Sequence, residues 1–128
     1  MIRVFVVDDQ AMIRSGLCSL LALVEDIEVV GEASDGEAAL AALAALDAPP
    51  EVVLTDIRMP GMDGIGLLQR LGPDGPRAIV LTTFPDAASL LEALKAGAAG
   101  YLLKDATSED LVDAIRAVAA GESAVQPV

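Results

Sequence analysis

The stretch EVVLTDIRMPGMDG, residues 51–64, decides the fold. Val52, Val53 and Leu54 are consecutive, so Glu51 to Thr55 reads as a strand buried on both faces rather than one that alternates towards water. The strand runs into Asp56, and MPGMDG supplies turn residues. A short helix over Ile65 to Leu71 follows, closed by Gly72, Pro73, Gly75 and Pro76. A strand covered on both sides and followed at once by a helix is the unit of a parallel α/β sheet. The same unit recurs on either side. Ile2 to Val7 is a strand, and Ile13, Leu17, Leu20, Leu21 and Val24 form the helix stripe after it. Ile27 to Ala33 is the second strand, followed past Asp35 and Gly36 by an alanine-rich helix that Pro49 and Pro50 stop. Ala78 to Leu81 and Gly100 to Leu103 are strands four and five, with a helix over Ala87 to Ala96 between them. Thr107 or Ser108 caps a last helix that carries Leu111, Ile115 and Val118 and ends at Gly121. Five strands, each with its helix, make a doubly wound α/β domain.

Composition narrows the function. The chain has 128 residues, one domain's worth, and 54% are hydrophobic, enough for a core without disulfides or a metal staple. Histidine is absent, which removes His-based acid–base catalysis, Ser-His-Asp triads and most zinc sites. A lone cysteine, Cys18, has no internal disulfide partner, and a reducing cytoplasm is the expected compartment. No apolar run is long enough for a membrane span, and the start of the chain lacks the pattern of a signal peptide. Twenty acidic against eight basic residues give a net charge of −12, a surface that repels phosphate backbones. The domain is therefore not expected to bind nucleic acid by itself.

In an open α/β sheet, ligands bind beyond the carboxyl ends of the strands. Those ends carry Asp8 and Asp9, Asp56, Thr82 and Thr83, and Lys104. Two carboxylates about 4 Å apart repel by roughly 4 kcal/mol at an effective dielectric near 20. A hard divalent cation relieves that conflict, and a few carboxylates with waters suit Mg²⁺. With Lys104 as a second cation and Thr82 as a hydroxyl donor, the rim reads as phosphoryl-transfer chemistry on a carboxylate nucleophile.

At these residues, VVDD at 6–9, TDIRMPGMDG at 55–64, Thr82 and LLK at 102–104, the chain resembles the receiver domain of two-component response regulators. LTTF at 81–84 and GYLLKD at 100–105 resemble the NarL/FixJ type. The resemblance covers essentially the whole chain. It implies a flavodoxin-like, doubly wound, five-stranded parallel sheet in the order 2-1-3-4-5 with five helices. It implies that Asp56 accepts a phosphoryl group from a histidine kinase. Asp9, Asp56 and the Arg58 backbone carbonyl would ligate Mg²⁺ directly, and Asp8 through a water. Thr82 would be the switch hydroxyl, Tyr101 the aromatic that moves with it, and Lys104 the phosphoryl-binding lysine. It also implies a homodimer on phosphorylation, built on helix four, strand five and helix five, or on helices one and five. Met12, Cys18 and Leu23 on the first helix, and Ala114, Ala117 and Ala119 on the fifth, suit close approach. Residues 1–121 would form the receiver and 122–128 the start of a linker to a helix-turn-helix domain that contacts DNA and controls transcription. The family often has Lys-Pro where this chain has Lys104-Asp105.

Plainer roles compete at several positions. Asp9 suits a cap for the first helix and Asp63 a cap for the third. Thr83 competes with Thr82, although strand alternation lets only one face the pocket. Tyr101 suits a strand aromatic, Phe84 a packing residue, Cys18 a semi-buried small hydrophobe, and Met12, Met59 and Met62 packing or loop positions. The alternative function is a magnesium-dependent aspartate-nucleophile phosphatase of the haloacid dehalogenase kind. Those enzymes carry DxD on the first strand, whereas this one gives DDQA. A third possibility is a stand-alone receiver that works without phosphate. Neither reading of the chain as a switch makes it an enzyme beyond its own phosphorylation and slow autodephosphorylation.

Overall fold

The computed structural model describes residues 1–83 and 86–125. It contains β1 (Ile2–Val7), α1 (Ala11–Ala22), β2 (Ile27–Ala33), α2 (Gly36–Ala44), β3 (Val52–Asp56), α3 (Gly64–Leu71), β4 (Arg77–Thr82), α4 (Ala87–Lys95), β5 (Gly100–Leu103), α5 (Ser108–Ala119) and β6 (Ala124–Val125). All strands are parallel, in the order β2-β1-β3-β4-β5-β6. The flavodoxin-like order 2-1-3-4-5 is thus present, flanked by five helices. Phe84, expected in the loop after β4, lies outside the described residues.

Strand alternation divides the core into two layers. Val4, Val6, Val52, Leu54, Ile79 and Leu81 pack against Leu21 of α1 and Leu111, Ile115 and Val118 of α5. Phe5, Val7 and Val53 face Ala39 of α2 and Leu67 of α3, and Val80 and Tyr101 face Leu68 of α3 and Ala93 of α4. Burial on both faces is what the unbroken Val52-Val53-Leu54 run required.

Helix ends follow local chemistry. Asp63 accepts from Gly66 N–H at 2.9 Å and caps α3, and Thr107, not Ser108, caps α5 by accepting from Asp110 N–H at 3.1 Å. Asp9 caps nothing: Gln10 occupies the N-cap of α1 and makes no side-chain capping bond. Ala114, expected on the surface of the last helix, is buried in the core beside Ile115.

A short sixth strand extends the expected five-stranded sheet, and it lies within residues 122–128. Gly121, with φ of 92°, ends α5, and the Gly121 and Glu122 N–H groups return to the carbonyls of Val118 and Ala117 at 3.0 and 2.9 Å. That turn sends the chain along β5, where Ala124 N–H donates to Ala99 O at 2.9 Å and Val125 registers with Tyr101. The Arg77 guanidinium holds the Glu122 carbonyl at 3.1 Å. β5 would otherwise present a row of unpaired backbone groups, and pairing them covers that edge.

Candidate functional site

The parallel sheet brings the ends of β1, β3, β4 and β5 to one rim. Carboxylate oxygens of Asp8, Asp9 and Asp56 lie within 4.8 Å of one another, with Asp8 and Asp56 buried and Asp9 exposed. Lys104, just past β5, projects its ammonium between them, 2.9 Å from Asp56 Oδ2 and 3.0 Å from Asp8 Oδ2. Its third donor reaches Gln10 Oε1 at 3.3 Å. Burial alone would depress the Lys104 pKa, but the Asp56 and Asp8 carboxylates outweigh it and hold the ammonium above its ordinary range.

The loops at this rim are fixed from several sides. Asp8 Oδ1 accepts from Gln10 N–H at 2.8 Å, which tightens the turn from β1 into α1. Arg58, exposed in the loop after β3, donates its N–H to Asp56 Oδ1 at a long 3.5 Å. Gly64 closes that loop by donating to Ile57 O at 3.0 Å, and a Cβ at this position would overlap the Asp56 carbonyl. The backbone behind Asp56 therefore requires glycine at the start of α3.

Thr82 ends β4, is buried, and accepts from Lys104 N–H through its carbonyl at 2.8 Å, whereas Thr83 is exposed. Tyr101 is buried on the same sheet face as Val80. Its burial raises the phenol's pKa and Asp86 adds to this, while the Thr82 side chain and Arg58 pull the other way. A cleft of about 390 Å³ opens beside Lys104, lined by Thr82, Thr83, Leu103 and Asp105. A second cleft of about 430 Å³, at the opposite end of β4 beside Arg77 and Lys95, has no carboxylate in its lining.

The donor set is all oxygen and strongly negative, which fits a hard divalent cation such as Mg²⁺ and not a thiolate- or imidazole-seeking metal. Two residues at the rim escaped the sequence reading. Gln10 reaches Lys104 across 94 positions, and Arg14 donates to the Asp8 carbonyl at 2.6 Å from the first turn of α1. Their spacing gives no signal, since an Arg on a helix turn is ordinarily a solvated charge.

Comparison with known proteins agrees with this geometry. The family model for the response regulator receiver domain matches residues 4–116. The chain is 43% identical over 124 residues to the transcriptional regulatory protein LiaR of Bacillus subtilis, covering 95% of this chain and 58% of that protein. It is 40% identical over 121 residues to the nitrate/nitrite response regulator protein NarL of Escherichia coli, covering 93% and 55%. Among solved structures, the signal receiver domain of the response regulator NarL from Mycobacterium tuberculosis superposes with a TM-score of 0.88 at 40% identity, over 94% of this chain and 98% of that one. The response regulator ChrA of a heme-sensing two-component system matches with a TM-score of 0.81 at 43% identity, over 98% and 60%. The chain thus spans little more than half the length of LiaR, Escherichia coli NarL and ChrA. No helix among the described residues is long and apolar enough to cross a membrane.

Proposed function

Because the chain belongs to the response regulator receiver domains of two-component systems, we propose that it is a switch thrown by phosphorylation of Asp56. The observation that carries this reading is the convergence of Asp8, Asp9 and Asp56 on one rim with the Lys104 ammonium between two of them. An Asp56 carboxylate oxygen attacks the phosphorus of a kinase phosphohistidine. The new O–P bond forms as the P–N bond breaks, and the imidazole nitrogen leaves with the electron pair.

Asp9, Asp56 and the Arg58 carbonyl would hold Mg²⁺ directly, with Asp8 acting through a water. Bound there, Mg²⁺ neutralises charge on the transferring phosphoryl oxygens. Lys104 gives those oxygens a point charge, and the Thr82 hydroxyl donates to them. Phosphorylation adds roughly −1.5 to −2 charge at Asp56, which draws Thr82 and Lys104 inward and biases the position of Tyr101.

Residues 1–121 form the switch in this reading, and the chain beyond leads to a DNA-binding output domain that controls transcription in the cytoplasm. Phosphorylation favours a homodimer. Met12 and Leu23, 89% and 84% exposed on and just after α1, support a contact face there.

Acetyl phosphate with Mg²⁺ is expected to add one phosphoryl group by mass, and none to Asp56→Asn. Equal labelling of that variant removes Asp56 as the acceptor. Turnover of a small phosphoester separates the switch from an aspartate-nucleophile phosphatase, and only background turnover is expected.

A further inference from the structure

We infer that Arg14 is a positioning residue for the acidic rim, holding Asp8 through its backbone carbonyl, with Glu32 on β2 as its anchor. The inference rests on the reading that this rim binds Mg²⁺. Only residues 8–10 join β1 to α1, and two of them are the acids of the cluster. The posture of that short connection therefore decides where the Asp8 and Asp9 carboxylates point.

Both backbone groups of Asp8 are tied to β2. Its N–H donates directly to Ala33 O at 3.1 Å. Its carbonyl accepts from Arg14 Nη1 at 2.6 Å, and Arg14 Nε is paired with Glu32 Oε1 at 2.9 Å. One planar guanidinium thus bridges the Asp8 carbonyl and the Glu32 carboxylate with two different nitrogens, which a lysine ammonium on a flexible stem cannot reproduce. The Arg14 side chain is 18% exposed, and Cys18 Sγ packs 3.5 Å from the other Glu32 oxygen. The bracing Arg14 guanidinium therefore lies between α1 and β2, while the Glu32 side chain at its far end is 49% exposed.

A nearby cation has two opposite effects on a metal site, and their signs separate positioning from simple charge. By Coulomb's law alone, removing the Arg14 charge near three carboxylates strengthens Mg²⁺ binding. If Arg14 acts by holding the short Asp8–Gln10 connection, which also carries the direct ligand Asp9, its removal weakens binding by about tenfold, as loss of a partner behind a metal ligand does.

The test is Mg²⁺ titration of wild type, Arg14→Ala and Arg14→Lys by calorimetry and by amide shifts of Asp8 and Gln10, with urea unfolding of each protein free of metal. The expected result is weaker Mg²⁺ binding in both variants, with displaced Asp8 and Gln10 amides before metal is added. Arg14→Lys decides the matter if Arg14→Ala fails to fold, because it keeps the charge and loses only the fork. Unchanged or tighter binding in the folded variants overturns the brace while leaving the Mg²⁺ site standing. A wild type that does not bind Mg²⁺ at all overturns both.

Discussion

Lys104 and Arg116 each face two aspartates, yet they sit in opposite surroundings. Arg116 on α5 makes the better-shaped contact: Nε and Nη2 grip the two Asp26 oxygens at 3.0 and 2.9 Å, with Asp113 a looser 4.0 Å away. Asp26 and Arg116 are each 48% exposed and Asp113 is 76% exposed. Lys104 makes point contacts to Asp56 and Asp8, but its side chain is only 9% exposed and Asp8 only 1%. Water screens the first group and is largely excluded from the second. A lost partner at the rim leaves charge without solvation, whereas a lost partner on α5 is replaced by water. Burial, more than contact geometry, sets what each arrangement is worth.

The largest expected effect is at the rim. Lys104→Met leaves three clustered carboxylates without their cation and should destabilise the metal-free domain by about 3 kcal/mol, the low end for a broken buried pair because the rim opens to water. The domain should remain folded, since domain stabilities run to about 5–15 kcal/mol. Urea unfolding measures the loss, and added Mg²⁺ should recover part of it. A loss no larger than that of an exposed pair would erase the contrast between the two regions.

Alkaline pH gives the same comparison a sign. Folding raises the Lys104 pKa above its ordinary 10.5, so its contribution is whole below that value and disappears as pH rises through the higher native one. The difference in urea midpoint between wild type and Lys104→Met should shrink over that window. A constant difference would mean that the ammonium charge is not what stabilises the rim.

Cys18 supplies an intermediate case. Partial burial, then the neighbouring Glu32 carboxylate, push its thiol up from 9.0 to about 11. Two pKa units imply about a hundredfold less thiolate than an ordinary cysteine near pH 8, and iodoacetamide should be correspondingly slow in the native protein. Glu32→Gln should restore part of the rate. Alkylation at the rate of the unfolded chain would show that Glu32 does not shield the thiol.

The smallest effect belongs to Arg116. Its hydrogen bonds lower the Asp26 pKa, so any stabilisation is present above the ordinary 3.8 and lost as pH falls through the lower native value. Arg116→Ala should barely move the urea midpoint at neutral pH, and high salt should abolish what shift there is. A loss as large as that of Lys104→Met would invert the comparison.

The sequence was enough to place Asp8, Asp9, Asp56, Thr82 and Lys104 at strand ends and to align those ends on one side of a parallel sheet. Strand runs and helix stripes are local patterns, and right-handed strand–helix–strand connections leave few ways to assemble them. Alternation allowed only one of Thr82 and Thr83 to face inward, and it was the family resemblance that picked Thr82, the one the structure buries. Other features depended on partners far along the chain. Whether Ala124 and Val125 pair with β5 depends on how Gly121 turns the chain and on an edge 24 residues upstream, from Ala124 back to Gly100. Nothing in Arg14's neighbours shows that its guanidinium folds back on the Asp8 carbonyl, because its anchor, Glu32, lies on another strand. Periodicity fixes which face a residue takes, since that follows from the backbone repeat. Which hydrogen-bond partner a polar side chain meets is decided only when separate elements pack, because that contact depends on distances no single segment contains.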